Sequence, residues 1–598
     1  MNKTLSKIIV ILAATQPFVR AETERRPEAG AERRAAGVPE SIRLSNPFDF
    51  PMQLSGAFCD LRAGHFHAGI DVRTGGSEGH ALHAVQRGYV SRVSVSPWGY
   101  GLAVYVAHPD DSIVTVYGHL QRFNSRLADM VRERQYGSES YAVDFSLNPG
   151  VMPVGQGDII GYSGNSGSSG GPHLHFEVRD MRTDEPLDPL VFYRQHVPDT
   201  RKPHVAGLMI YPVEGLGMVN GSNRKQAVEL KYDKNGNPVI TAVIEAWGEI
   251  GLGIRAVDRM DGAGFSYGIK DILQTVDSVE TYRSYADRFS FGESGYINSY
   301  ADYGEWSRNR AFYIKTFVEP GCRLRFVASR NSGKITVSEE RIYHVTVRLT
   351  DLYGNTCEAP VEIRGKRQEI TPPDTAGATL MRWYDYSTFG SPGVRLTIPR
   401  GSLYSSLYMR YSVSCPGDGS VRGRPAAGRG AAFYSAVHTL HPSPVPLHGP
   451  AQLSIHMGRM HEQAGTEQFG IVRADAFTGK LSWIGGVYRD GWMDADISEL
   501  GTYAVSRDTV PPVITPVDPV KWRGRKQMLI RITDNLSGIS TYRGEIDGSY
   551  ALFEFDGKKA MLSYDFDDGR LHPGYHHLKL TVTDRCGNRS EYRHAFTW

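Results

Sequence analysis

Two pairs of side chains, His67 with Asp71 and His173 with His175, together with His119, have the types and spacing to hold and use a divalent metal ion. His67 and Asp71 are four residues apart in His67-Ala-Gly-Ile-Asp71, and an i, i+4 pair shares a face on a helix or a strand. Gly69 between them argues against a helix, so the pair is placed on a strand or strand-turn. His173 and His175 are two apart in the alternating run His173-Leu-His175-Phe-Glu-Val-Arg179. Both imidazoles then point to one face while Leu174, Phe176 and Val178 fill a core. One of the two can ligate a metal while the other stands beside it as a base or hydrogen-bond donor. Zinc in a hydrolytic site takes about three protein ligands and leaves a fourth position for water. An isolated HxxxD or HxH has a plain structural reading, as packing or surface. Both pairs with His119 in one stretch point instead to a metal site. Glycines before Pro172 let backbone come close to that site, where a substrate chain could lie.

The elements that must position these residues read as β structure. Tyr89–Ser96, Ala103–Ala107 and Ile113–Tyr117 are strand-like runs of period two, separated by turns at residues 97–101 and 109–111. Such short connections imply antiparallel neighbours. Residues 123–150 break the period: Leu127, Met130 and Val131 have helical spacing, with Asn124 or Ser125 available as N-cap. Tyr141–Phe145 is strand-like again, and the whole segment reads as an insertion between His119 and His173, a candidate lid or groove wall. Strand character resumes at Asp158–Tyr162. A Gly/Ser-rich loop, 163–171, leads into the strand bearing His173, and residues 186–189 close the domain.

The other polar residues nearby have competing readings. His65 precedes His67 by two and would share its face on a strand, as a neighbour of the site or a replacement ligand. His80, His83 and His108 lie at strand ends and read as structural. Glu177 shares the face of His175, so a hydrogen bond to that ligand and simple exposure are both open. Asp188, in a Pro-bracketed turn, reads as local.

The N-terminus has the pattern of an export signal: Lys3 and Lys7, an apolar run from Ile8 to Ala14, and Val19-Arg20-Ala21 with small residues where a signal peptidase reads. Cleavage is expected after Ala21, leaving no membrane span, since the run is too short to cross a bilayer. Residues 22–38 lack apolar periodicity and read as a flexible leader. A net charge of +2 over 598 residues offers no field for nucleic acid. The five cysteines show no zinc-ribbon spacing; Cys322 and Cys357 are a possible pair.

Beyond residue 203 the chain reads as all-β, and a pattern recurs there: apolar alternation ending in Asp, then a Gly-containing turn. Strong copies are Val347–Asn355 and Leu580–Asn588; weaker ones end at Asp258 and Asp534. One weak and one strong copy fall in each of two modules. The Asp and Asn side chains would hydrogen-bond the turn backbone, a structural job; calcium binding is the sharper alternative. Pro-rich junctions at residues 371–375 and 508–516 mark further boundaries, and residues 421–429 read as loop.

The motifs of residues 67–71, 117–120 and 170–175 occur in the order of the lysostaphin-type zinc endopeptidases, and residues from about 50 to 190 resemble that family. The resemblance implies a mostly β fold. It comprises an antiparallel β catalytic core of lysostaphin type with a short helical insertion, followed by immunoglobulin-like β-sandwich modules. The expected organisation is a signal peptide (1–21), a leader (22–38), a zinc endopeptidase domain (39–200, insertion 123–150), a β-sandwich (203–366), a β module (371–508) and a C-terminal β-sandwich (511–598). By matching position the resemblance assigns His67, Asp71 and His175 as ligands of one Zn²⁺ per chain. His119 and His173 become the two catalytic, non-ligand histidines, which share proton transfer and oxyanion stabilisation. It further implies a hydrolase acting on peptidoglycan stem peptides or cross-links, in the periplasm or at the cell surface, with envelope protein partners reached through the β modules. A catalytically silent peptidoglycan-binding scaffold or activator of other wall hydrolases, and a secreted protease acting on protein, are the alternatives.

Overall fold

The computed structural model describes residues 42–415, 433–457 and 465–598. The expected signal peptide and leader, and residues 421–429, lie outside the described residues. The first domain is built on a nine-stranded antiparallel sheet. Its principal strands are β1 (Leu54–Gly56), β2 (Ile70–Arg73), β3 (Gly88–Val95), β4 (Leu102–His108), β5 (Ile113–Leu120), β6 (Val143–Ser146) and β7 (His173–Asp180). Their order is β1-β2-β7-β5-β4-β3-β6, with short strands Pro153–Val154 on β3 and Pro186–Leu187 on β7. The β3–β4–β5 meander follows from its short turns. The last long strand, β7, then inserts between β2 and β5, which brings the two histidine motifs together.

The core follows the alternation. Ile70, Val72, Val90, Val93, Val104, Tyr117, Leu174, Phe176 and Val178 are all wholly buried on one side of the sheet. Each such side chain taken from water contributes roughly 1.5–3 kcal/mol before entropy is set against it. A helix, α1 (Ser125–Gly137), covers part of this core with Leu127 and Val131, one turn apart. Asn124 starts it, its side chain accepting a hydrogen bond from Leu127 N at 3.0 Å. The outer face of α1 meets the C-terminal module: Arg132 donates to the Asp568 carbonyl at 3.1 Å, Tyr136 to the Asp568 carboxylate, and Arg543 pairs with Glu139 at 2.6 Å. The contacts of the segment expected as a lid are thus with the domain core and the C-terminal module.

The later modules each have a core. Between residues 204 and 365 ten strands join in one sheet, eight of them along a single path, while Lys231–Tyr232 and Pro238–Val239 pair separately. Two long bulged strands, His204–Val219 and Ile244–Val257, cause this, because bulges bend a strand so that one chain serves two layers. Residues 387–507 hold two five-stranded sheets, and residues 513–597 two four-stranded sheets. Cys322 and Cys357 are buried free thiols, so the pairing considered for them does not form. Among the described residues no helix is long and apolar enough to cross a membrane.

Candidate metal centre

Register, not proximity in sequence, builds the site. In the ladder His175 on β7 stands directly opposite Asp71 on β2 and Gly118 on β5. Directly opposed residues share a face, so Asp71 and His175 project together from the side away from the apolar core. His67 lies in the short link between strand His65–Phe66 and β2, as the strand-turn reading of the HxxxD pair requires. Gly69 lets this turn lie against β7: a Cβ there would stand 2.2 Å from the Phe176 carbonyl oxygen. His119 follows Gly118 and by simple alternation would face the core. A bulge in the β4–β5 pairing and a left-handed backbone at His119 (φ 62°) turn its ring back to the site. Its centroid lies 4.8 Å from His173 and 5.7 Å from His175.

Three donor atoms converge. His67 Nε2 is 3.0 Å from His175 Nδ1 and 3.0 Å from Asp71 Oδ1, and the third edge, His175 Nδ1 to Asp71 Oδ1, is 3.1 Å. All three residues are buried. Zinc bonds of about 2.0–2.2 Å in a tetrahedron put ligand atoms roughly 3.3–3.6 Å apart, so this triangle needs to open by only a few tenths of an ångström. The remaining imidazole nitrogens fix the tautomers. His67 Nδ1 donates to the Ala57 carbonyl at 2.7 Å, leaving Nε2 as the free lone pair. His175 Nε2 is 2.8 Å from Glu177 Oε1, leaving Nδ1 to face the site. Such outer partners orient metal-ligating histidines and raise their basicity. The residues present fit a zinc ion.

Burial opposes the charge on Asp71, but the imidazoles of His67, His173 and His175 outweigh it and hold the carboxyl well below its usual range. Burial also opposes charge on His175, yet its hydrogen bonds to Asp71 and Glu177 raise it to about 9. Burial, then the neighbouring His175 and His173, push His119 down to about 3, so that ring is neutral at physiological pH. His119 Nδ1 donates to the Ser166 carbonyl at 2.9 Å, and His173 Nδ1 to that of Gly171 at 2.8 Å. His119 is left with Nε2 as a proton acceptor, while His173 Nε2 stands 3.4 Å from Asp71 Oδ1.

Several neighbours were missed or left open by sequence reading. Glu177 is wholly buried and accepts from His175, from the Tyr100 hydroxyl at 2.6 Å and from Arg179 Nε at 2.6 Å, which settles its open reading against exposure. Arg179 continues the His173, His175, Glu177 alternation and was legible on that ground. Tyr100 and Arg62 carried no such signal; Arg62 donates to Asp71 Oδ2 at 3.1 Å across a nine-residue loop. His65 is exposed and bonds the Ala63 carbonyl, away from the cluster. His80, His83 and His108 bond Ser77, Gly157 and Arg87 respectively, as structural residues. Asp188 caps Leu190 N locally at 3.0 Å and also reaches the next module through Lys270 Nζ at 2.7 Å.

That module reaches the site itself. Phe66, immediately before His67, is 2% exposed and packs among Phe289, Tyr300 and Phe326, so it belongs to the core of residues 205–363. Ser294 Oγ accepts from Phe66 N at 3.1 Å, and Tyr267 donates to the Leu54 carbonyl at 2.9 Å. The loop that presents His67 is therefore clamped by a neighbouring module.

Comparison with known proteins adds to this geometry. The DD-carboxypeptidase/endopeptidase Mpg of Neisseria meningitidis serogroup B is 27% identical over 148 residues, 25% of this chain and 26% of the relative. The Mpg of Neisseria gonorrhoeae matches equally. The N-terminal domain is similar to lysostaphin-type peptidases. The match spans about a quarter of the length of these curated relatives. Among solved structures, the catalytic domain of the prophage-encoded protein EnpA from Enterococcus faecalis is 26% identical. That match covers 23% of this chain and 87% of the other, with a TM-score of 0.17. A zinc-containing peptidase from Vibrio cholerae is 24% identical, with coverages of 25% and 40% and a TM-score of 0.19. Residues 378–508 match the Zu5-like domain family.

Proposed function

We propose that this chain is an exported zinc-dependent endopeptidase that hydrolyses peptide bonds in peptidoglycan stem peptides or cross-links, in the periplasm or at the cell surface. One observation carries the reading: His67 Nε2, Asp71 Oδ1 and His175 Nδ1 form a buried triangle of 3.0–3.1 Å edges, with His119 and His173 held beside it by backbone carbonyls. A silent scaffold has no need of this set. The name DD-carboxypeptidase/endopeptidase borne by the curated relatives favours a bond at a peptidoglycan cross-link over one in protein.

His67, Asp71 and His175 would hold the ion. Zinc supplies Lewis-acid polarisation of a carbonyl and lowers the pKa of a coordinated water toward about 7. His119 and His173 do the proton work. Each keeps its Nδ1 proton on a backbone carbonyl and directs Nε2 toward the metal centre, that of His173 standing 3.4 Å from Asp71 Oδ1. The imidazole that takes the proton becomes a donor and returns it to the leaving amine, a contribution of roughly 10²- to 10⁴-fold. The other, once it carries an Nε2 proton, can stabilise the developing oxyanion. The Ser166 and Gly171 carbonyls fix both rings, so little reorganisation is left to the reaction.

Metal analysis of purified chain tests the division of roles. Wild type should hold one equivalent of zinc, and Asp71→Ala and His175→Ala should lose it. His119→Ala should retain zinc and lose hydrolysis of a cross-linked peptide by about 10²-fold or more. Full activity of His119→Ala would overturn the assignment.

A further inference from the structure

The two repeated Asp turns bring together more than backbone. In the first sandwich module, Asp351 opens the turn after strand Ile342–Thr350, and Asp258 follows strand Ile244–Val257. Asp199 arrives from the segment joining the catalytic domain to this module. A carboxylate oxygen from each lies within 4.8 Å of the other two. The C-terminal module repeats the set with Asp508 from the preceding junction, Asp534 and Asp584. The turn bonds repeat as well. Asp351 Oδ1 accepts from Tyr353 N and Asn355 N, both at 2.8 Å; Asp584 Oδ1 accepts from Cys586 N at 2.8 Å and Asn588 N at 2.9 Å. Asn355 donates to the Asp199 carbonyl at 3.3 Å, and Asn588 to that of Asp508 at 3.0 Å.

The structural job read from sequence accounts for these bonds and leaves other atoms unexplained. Asp258 is 4% exposed and Asp199 7%, yet Asp258 Oδ1 and Asp199 Oδ2 are buried and take no hydrogen bond from any described residue. In the second set Asp534 Oδ1 and the hydroxyl of Ser537, a residue 2% exposed, are likewise without partners. Ser537 N donates to Asp508 Oδ2 at 2.9 Å, which places that residue at the cluster. No ion pair to Lys or Arg is formed by any of the six carboxylates among the described residues. Burial of unpaired carboxylates is costly unless a cation joins them. Burial first, and then the neighbouring carboxylates, raise Asp258 to about 8 and Asp199 to about 6, so the first set resists its own ionisation, and the same two causes raise Asp534 in the second.

We propose that each cluster is a calcium site, Asp199, Asp258 and Asp351 in one and Asp508, Asp534 and Asp584 in the other, in which the ion ties the incoming junction to the strand ends of the module. The donors are all oxygen and mostly carboxylate, which selects a hard cation over zinc or copper. Calcium takes six to eight oxygens at about 2.3–2.6 Å, so two of its ligands stand at most about 5 Å apart. The 4.8 Å spread of both sets lies inside that limit. Each site would then fix the angle at which a sandwich module leaves the domain before it.

The test uses the full mature chain, stripped with chelator, reloaded with zinc and dialysed against millimolar calcium chloride. Metal analysis and native mass spectrometry should find two calcium ions per chain. Asp258→Asn and Asp534→Asn should each remove one, and the double variant both. The unfolding midpoint of wild type should rise with calcium, that of the double variant should not, and equimolar magnesium should not reproduce the rise. If a variant fails to fold, the wild-type count and calcium-dependent midpoint decide alone. A wild-type count other than two, a count indifferent to these substitutions, or an equal response to magnesium overturns the proposal. So does a calcium-insensitive midpoint with Asp258→Asn stabilising on its own, which would show neutral carboxyls in place of a cation site.

Discussion

Phe66→Ala isolates the contribution of the first sandwich module to the metal centre. The ring is 2% exposed, with centroids 5.5–5.7 Å from Phe289, Tyr300 and Phe326, all in that module. Truncating a buried Phe costs about 3–5 kcal/mol through lost transfer free energy and the cavity left behind. The adjacent residue is His67, whose Nε2 forms two edges of the donor triangle. A displacement near 1 Å at a reacting constellation costs about 10²-fold. Phe66→Ala should therefore lower the unfolding free energy by roughly 3 kcal/mol or more and, below its own melting midpoint, lower kcat/KM by about 10- to 100-fold. Phe326→Ala, from the other side of the same cluster, should show the same pairing of effects, while Phe66→Leu should keep most of both. The assay is chemical denaturation alongside initial rates on a cross-linked peptide. A Phe66→Ala variant that loses stability yet keeps wild-type kcat/KM while folded would refute the idea that this module positions His67.

Glu177→Gln should weaken zinc binding by about 10- to 100-fold, the usual cost of losing the outer partner of a histidine ligand, read by competition with a chromogenic chelator. Unchanged affinity would mean that the 2.8 Å contact to His175 Nε2 does not tune the ligand. In the Zu5-like region, His438 is 1% exposed, its Nε2 is without a partner, and burial lowers it to about 4. The native chain stays neutral there while the unfolded chain gains a proton below about pH 6.5. The unfolded state thus binds more protons, and stability present above that pH is lost as pH falls toward 4. Melting curves between pH 7 and 5 should show this slope, and His438→Gln should flatten it.

What could be read beforehand followed physical periodicity. The alternation of β7 placed His173 and His175 on one face and Leu174, Phe176 and Val178 in the core, and the structure agrees. The start of α1 was legible from Asn124 and the spacing of Leu127 and Val131. His119 was legible as a motif but not as geometry, because a bulge and a left-handed φ override the alternation that would have buried it. Arg62, Tyr100 and the Phe66 clamp depend on contacts distant in sequence, for which no local period exists. The Asp turns are legible as turn bonds, with calcium binding as the sharper alternative. Their convergence with Asp199 and Asp508 depends on how each junction folds back onto its module.

Digestion of purified cross-linked sacculi by zinc-loaded full chain, with new amino termini identified by mass spectrometry, tests the central claim most directly. The expected result is release of new peptide amino termini by wild type and their absence with His119→Ala at equal zinc content. Intact cross-links after treatment with zinc-loaded wild type would contradict a peptidoglycan endopeptidase.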